Sequence, residues 1–255
     1  MIEVWDVTLP ALTGAEPRRA YVYVPDAAAE DPDRRFPVLY MFDGHNLFFD
    51  EDATYGKSWG LGEYLEATGT GLIVAAVECN HDPDNGRLRE YAPYPFSSRE
   101  FGMIEARGAR TMDWLIHSFK REIDRDYPTL PDREHSYIAG SSMGALMSLY
   151  AVSCFSDTFS RAAALSPALE FGPRKLDEML RAASFPPDTV IYMDFGEEEL
   201  KRRGTGRIYR RICDLLLKKG VKLTSRIVPR GEHNEASWGK QLPFAIGALL
   251  YDPED

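Results

Sequence analysis

The chain has 255 residues, 44% hydrophobic and 27% charged, with a formal net charge of −10. That balance suits a globular α/β domain and excludes the basic face that nucleic acid or an anionic membrane would require of a partner. The three cysteines, Cys79, Cys154 and Cys213, are scattered and odd in number, so no disulfide framework is expected. The first residues, Met1-Ile2-Glu3-Val4-Trp5-Asp6, lack the basic and apolar regions of a secretory signal. No apolar run approaches the roughly 18 residues of a membrane span. A cytoplasmic location is therefore expected.

In chain order, Glu3–Thr8 and Ala20–Val24 alternate like hairpin strands, and Pro25 stops the second. An acidic loop, Ala29–Arg35, follows. Beyond it, apolar runs alternate with helical patterns. The runs are Pro37–Phe42, Leu72–Val77, Tyr137–Ala139, Ala162–Leu165, Val190–Phe195 and Leu223–Val228. Continuous apolar strands point to a sheet buried on both faces, hence mostly parallel with helices on either side. Ser58 is placed to cap a helix through Leu65. The longest helix is expected from about Arg99 to Tyr127, with Met112, Leu115, Ile116, Phe119 and Ile123 at three- and four-residue spacings. Further helices are expected over Arg174–Ala182, Tyr209–Lys219 before the cap Gly220, and Trp238–Leu250. With no repeat and no linker-like tract, residues 1–255 read as a single domain without a large inserted cap.

Gly140-Ser141-Ser142-Met143-Gly144 is a G-x-S-x-G pattern between a strand-like run and a helix-like run, Ala145–Val152. A serine on a sharp strand-to-helix turn is strained. The flanking glycines remove side chains that would clash, and the new helix offers free N–H groups to negative charge. Ser142, at the centre of the glycine spacing, is the candidate nucleophile. A serine nucleophile needs a base and an orienting acid, and when the serine stands on such an elbow the chain order is serine, acid, histidine. Of His45, His81, His117, His135 and His233, only His233 lies after the serine. The acid is expected just past Val190–Phe195. Glu199 is favoured by a G-x-x-acid spacing, with Glu198, Asp194 and Glu197 as alternatives. The oxyanion donors are expected to be the backbone N–H groups of Met143 and of His45, the latter in Asp43-Gly44-His45-Asn46. The spacing of Asp43, His45, His81 and Asp82 resembles no dedicated ligand set, so neither metal nor cofactor is expected.

The runs Tyr40–Phe48, Ile138–Gly144 and Gly231–Trp238, with Arg89–Pro93, Ser166–Ala168 and Tyr192–Gly196, resemble the putative esterase family. This is the α/β-hydrolase group containing esterase D, enterochelin esterases, feruloyl esterases and acetyl xylan esterases. The resemblance implies an α/β-hydrolase fold, with the nucleophile carried onto Ser142, the base onto His233 and the acid onto Glu199. His45 stands where the family often has glutamine, and Gly144-Ala145 where it often has Gly-Gly. The implied activity is a serine carboxylesterase acting on small or carbohydrate-linked esters, acetyl or aromatic acyl. An acyltransferase or an inactive ligand-binding scaffold are the alternatives. Phe48, Phe49, Tyr55, Trp59, Tyr91, Tyr94, Phe96 and Trp238 are expected at the rim of the substrate site, as aromatics that could stack on sugar or phenolic groups. Arg89 and Glu90 are expected to pair structurally. The basic stretch Lys201–Arg207 is expected to be a solvated helix entry.

Overall fold

The computed structural model describes residues 1–202 and 204–251. Strands β1 (Ile2–Thr8) and β2 (Pro17–Tyr23) lead into a one-turn helix α1 (Ala27–Glu30), strand β3 (Val38–Phe42), helix α2 (Leu61–Thr68), strand β4 (Ile73–Val77) and helix α3 (Gly86–Glu90). A small hairpin, β5 (Phe96–Ser98) with β6 (Gly102–Ile104), precedes helices α4 (Gly108–Trp114) and α5 (Lys120–Asp126), which a π-turn at Leu115–Phe119 joins. Strand β7 (Ser136–Ser141), helix α6 (Met143–Cys154), strand β8 (Arg161–Leu165) and helix α7 (Pro173–Ala182) follow. Last come β9 (Val190–Gly196), α8 (Glu197–Leu200), α9 (Thr205–Lys218), β10 (Lys222–Val228), α10 (Glu235–Gly239) and α11 (Leu242–Leu250).

The main sheet has eight strands in the order β1-β2-β4-β3-β7-β8-β9-β10. From β4 to β10 every pairing is parallel, while β1 and β2 run antiparallel at one edge. The period-two alternation of strand side chains divides the interior into two cores. Ala162 and Ala164 join Ile138, Leu146 and Leu149 on one face; Ala163 and Leu165 join Tyr137, Ala139, Ile246 and Leu249 on the other. The alanines of β8 keep this strand thin enough for helices to approach from both sides. α6 is apolar nearly all round and is buried along its length apart from Tyr150 and the exposed Cys154, as such a helix must be.

Four expectations give way to the structure. The helix expected from Arg99 begins only at Gly108, because the chain up to Ile104 is used by the β5–β6 hairpin, whose turn needs Gly102 at positive φ. Ser58 does not cap α2; its hydroxyl donates to Asp50 Oδ1 at 2.8 Å, and Gly60 takes the cap position. The helix expected over Trp238–Leu250 is two helices, α10 and α11. Pro243 lies in the first turn of α11, where its missing N–H is tolerated, and cannot continue a preceding helix. Finally, β10 is not a buried strand: it is the sheet edge, and its polar sequence leaves most positions half or fully exposed. No helix among the described residues is long and apolar enough to cross a membrane.

Candidate active site

The loops that follow β3, β4, β7, β8, β9 and β10 all open at the C-terminal end of the parallel strands, where ligand sites of such sheets form. Ser142 links β7 to α6 with φ 55° and ψ −117°, a conformation that costs a non-glycine residue about 1–3 kcal/mol. The surrounding chain holds it there. Its N–H donates to Leu165 O at 3.0 Å, and its carbonyl accepts from Ala168 N at 3.0 Å and Leu146 N at 3.1 Å. A side chain at Gly140 would stand 2.7 Å from the Gly144 carbonyl carbon, so the elbow closes only because both positions lack one. Met143 opens α6, so its N–H has no acceptor within the helix.

His233 Nε2 lies 2.9 Å from Ser142 Oγ, and His233 Nδ1 lies 2.6 Å from Glu199 Oε1. The loop carrying Glu199 folds back on itself: the Gly196 N–H donates to Glu199 Oε2 at 2.8 Å, across the first turn of α8. A side chain on Gly196 would collide with Gly231 O at 2.2 Å, so the acid loop and the histidine loop can touch only backbone to backbone. Ser166 Oγ donates to Glu199 Oε2 at 2.6 Å and accepts from Trp238 Nε1 at 3.1 Å. Burial raises the Glu199 carboxyl, but hydrogen bonds from His233 and Ser166 outweigh it and hold the group below its ordinary range. The neighbouring carboxylates are engaged elsewhere. Glu198 pairs with Lys201, Glu197 accepts from Arg230 N, and Asp194 accepts from Tyr192 OH and Ser166 N. Burial pushes Asp194 up to about 6.

On the other wall, Asp43 adopts a left-handed φ of 60° after β3 and receives a two-pronged contact from Arg87, both at 2.7 Å. Burial raises the Asp43 carboxyl, but the Arg87 charge overrides it and keeps Asp43 below its usual range. His45 follows in a single 3-10 turn, Gly44–Asn46. It is 3% exposed, and burial lowers its imidazole against the opposing pull of Asp43. Its Nε2 is 3.0 Å from Thr54 Oγ1, while its Nδ1 is buried with no hydrogen-bond partner among the described residues. The His81 ring packs edge-on against it with centroids 5.1 Å apart.

A cleft of about 360 Å³ joins these two walls. Ser142, His233, Trp238 and Glu235 line one side; His45, Asn46, Cys79, Asn80, His81 and Arg87 line the other. A hydroxyl-histidine-carboxylate chain of this kind, with free N–H groups beside the hydroxyl, can take up an acyl group and return it to water. The chain matches the putative esterase family over residues 13–249. It belongs to that family. It is thus a serine ester hydrolase. It is 24% identical to the uncharacterized protein YbbA of Bacillus subtilis (strain 168) over 217 residues, covering 84% of this chain and 79% of that one. Among solved structures, a ferulic acid esterase superposes with a TM-score of 0.69 at 15% identity, over 98% of this chain and 97% of that one. The enterobactin and salmochelin hydrolase IroE does so with a TM-score of 0.65 at 18% identity, over 96% and 95%. These likenesses are of fold.

Of the aromatics expected at the rim of this esterase, Tyr55 and Trp238 line the cleft. Phe48 packs near Tyr21, and Trp59 packs near Trp238 behind the site. Tyr91 lies edge-on to Phe42 with its hydroxyl accepting from Asp43 N, and Tyr94 is buried in the core. These residues are aromatic because they fill the space beneath the loops. Arg89 and Glu90 pair structurally, but not with each other: Arg89 meets Asp82 and Asp84, and Glu90 meets the buried Arg18. In the basic stretch Lys201–Arg207, Arg203 lies outside the described residues. Ser166, Arg87, Cys79 and Glu235 escaped the sequence reading as site residues. Ser166-Pro167 directly after a strand was the one available signal.

Proposed function

We propose that this esterase hydrolyses small polar carboxylic esters, acetyl or aromatic acyl, including carbohydrate-linked ones, through an acyl-enzyme on Ser142. The observation that carries the reading is the unbroken hydrogen-bond chain Ser142 Oγ–His233–Glu199. His233 Nε2 takes the hydroxyl proton as Oγ attacks the ester carbonyl. The N–H groups of Met143 and His45 receive the oxyanion. His233 then hands the proton to the departing alkoxide, leaving acyl-Ser142. Water, deprotonated by the same nitrogen, releases the carboxylic acid and restores the serine. Glu199 keeps the Nδ1 proton in place and balances the imidazolium that forms transiently. The substrate class is supported by the cleft itself: about 360 Å³ is at the small end for ligand sites, and asparagine, histidine, arginine and glutamate side chains line it. The names of the ferulic acid esterase and of the enterobactin and salmochelin hydrolase agree with an ester substrate.

Hydrolysis of 4-nitrophenyl acetate by the wild type and by Ser142→Ala tests the proposal. The variant is expected to lose about 10⁴–10⁶-fold in kcat. A fluorophosphonate probe should label the wild type once, on the peptide containing Ser142. Equal turnover by both proteins, or a label on another peptide, overturns the assignment.

A further inference from the structure

Beside the esterase machinery stands a second constellation whose side chains the reaction does not use. β3 and β4 are neighbours in the sheet, so their C-terminal loops emerge side by side. One delivers His45; the other delivers Cys79 and His81. A ring nitrogen of each histidine and the Cys79 sulfur all lie within 4.8 Å of one another. In a tetrahedral zinc site with Zn–N near 2.0–2.1 Å and Zn–S near 2.3 Å, ligand atoms stand about 3.3–3.6 Å apart, so closure needs shifts of roughly an ångström. The His81 side chain is 58% exposed, with Nε2 3.9 Å from Glu78 Oε2, and has room to make them. The His45 ring is held by its contact with Thr54. With Nε2–H donated to Thr54 Oγ1, the buried Nδ1 keeps a lone pair that meets no donor among the described residues. A hydrogen bond behind a histidine that points its other nitrogen at a metal is the usual supporting contact of such ligands.

We propose that His45, Cys79 and His81 form a three-ligand site for a borderline-soft divalent cation of the Zn²⁺ class, at the wall of the ester cleft, and that the bound ion obstructs it. Two imidazoles and one sulfur favour Zn²⁺ or Co²⁺ over Mg²⁺ or Ca²⁺, which want oxygen. Binding converts the Cys79 thiol to a thiolate: the S–H bond breaks, the S–metal bond forms and one proton leaves to solvent. Burial beside Asp43 disfavours a free thiolate at Cys79, and coordination supplies the positive charge that offsets this. His45, Cys79 and His81 line the same cleft as Ser142 and His233, so an ion held by them would stand in the path of the ester. The obstruction rests on the proposed function; the binding does not.

Titration of the purified chain with Co²⁺ reads the binding alone. One Co²⁺ per chain is expected, with thiolate-to-cobalt charge-transfer absorption and tetrahedral d–d bands. The absorption should vanish in Cys79→Ser, weaken at least tenfold in apparent affinity in His81→Ala, and persist in Cys154→Ser and Cys213→Ser. Far-ultraviolet circular dichroism checks that each variant is folded, and His81→Ala replaces an exposed side chain. No thiolate band in the wild type, or a band that survives Cys79→Ser, overturns the site. Turnover of 4-nitrophenyl acetate should fall with Zn²⁺ and return with EDTA, and His81→Ala should need at least tenfold more Zn²⁺ for half-inhibition. Zn²⁺ that displaces Co²⁺ without slowing turnover overturns the obstruction. A wild type that binds Co²⁺ but hydrolyses no ester overturns the proposed function and leaves the metal site standing.

Discussion

Two histidines face one cleft from opposite walls, and they are held differently. His233 has a partner on each nitrogen, Glu199 behind it and Ser142 before it. His45 has Thr54 on one nitrogen and, among the described residues, no hydrogen-bond partner on the other. The first arrangement suits proton transfer, because a fixed Nδ1–H leaves Nε2 as the acceptor facing the hydroxyl. The second suits a Lewis acid, because the lone pair has no hydrogen to meet. Imidazoles in the same small space are thus separated in chemistry by what their second nitrogen touches.

The largest expected effect on this contrast comes from Glu199→Gln. The amide cannot hold the imidazolium or enforce the tautomer, and kcat for 4-nitrophenyl acetate should fall about 10³–10⁴-fold. Glu198→Gln, which loses only an exposed pairing with Lys201, should stay within about twofold. Comparable losses in both variants would mean that Glu199 has no special part. Next in size, Thr54→Val removes the contact behind His45 and should weaken Co²⁺ binding about 10–100-fold by absorption titration; unchanged affinity would break the parallel between the two rings. Ser166→Ala removes one donor to Glu199 and leaves Trp238 Nε1 without its acceptor, so kcat should drop about tenfold with KM little changed. A rise in KM alone would place Ser166 in binding instead. The smallest effect concerns slope. Glu199 is held below its ordinary value, so it stays ionised while a histidine base protonates. The acid limb of log kcat/KM against pH should therefore have a slope of about 1, and a slope near 2 would show the carboxylate titrating with it.

Asp194 offers a check on the ground beneath Glu199 and Ser166. Its folded value of about 6 lies above its ordinary 3.8, so the folded state binds this proton more tightly than the unfolded one. The stability this group lends is complete below about 3.8 and is lost as pH rises through about 6, amounting to about 1–3 kcal/mol. Chemical denaturation of Asp194→Asn across that window should show a flatter pH dependence than the wild type. An identical dependence would remove Asp194 as the source.

Much of this molecule could be read from residue order. The glycines around Ser142 are needed by any elbow of that sharpness, and His233 is the histidine that follows the serine. The parallel strands announce themselves as apolar runs, because both of their faces are covered. The edge strand β10 misled, since six residues with three polar side chains read alike at an edge or beneath a thin cover. Likewise, Phe48, Tyr91 and Tyr94 sit in loops, and a loop aromatic looks the same whether it faces the cleft or plugs the core under it. The acid could be narrowed to a run of like carboxylates but not chosen by type. The G-x-x-acid spacing favours Glu199, and the fold adds the Gly196 N–H drawing Glu199 back towards His233 and the bare contact of Gly196 with Gly231. The meeting of His45 with Cys79 and His81 lay furthest from view. More than thirty positions separate them along the chain, and only the pairing of β3 with β4 sets their loops side by side.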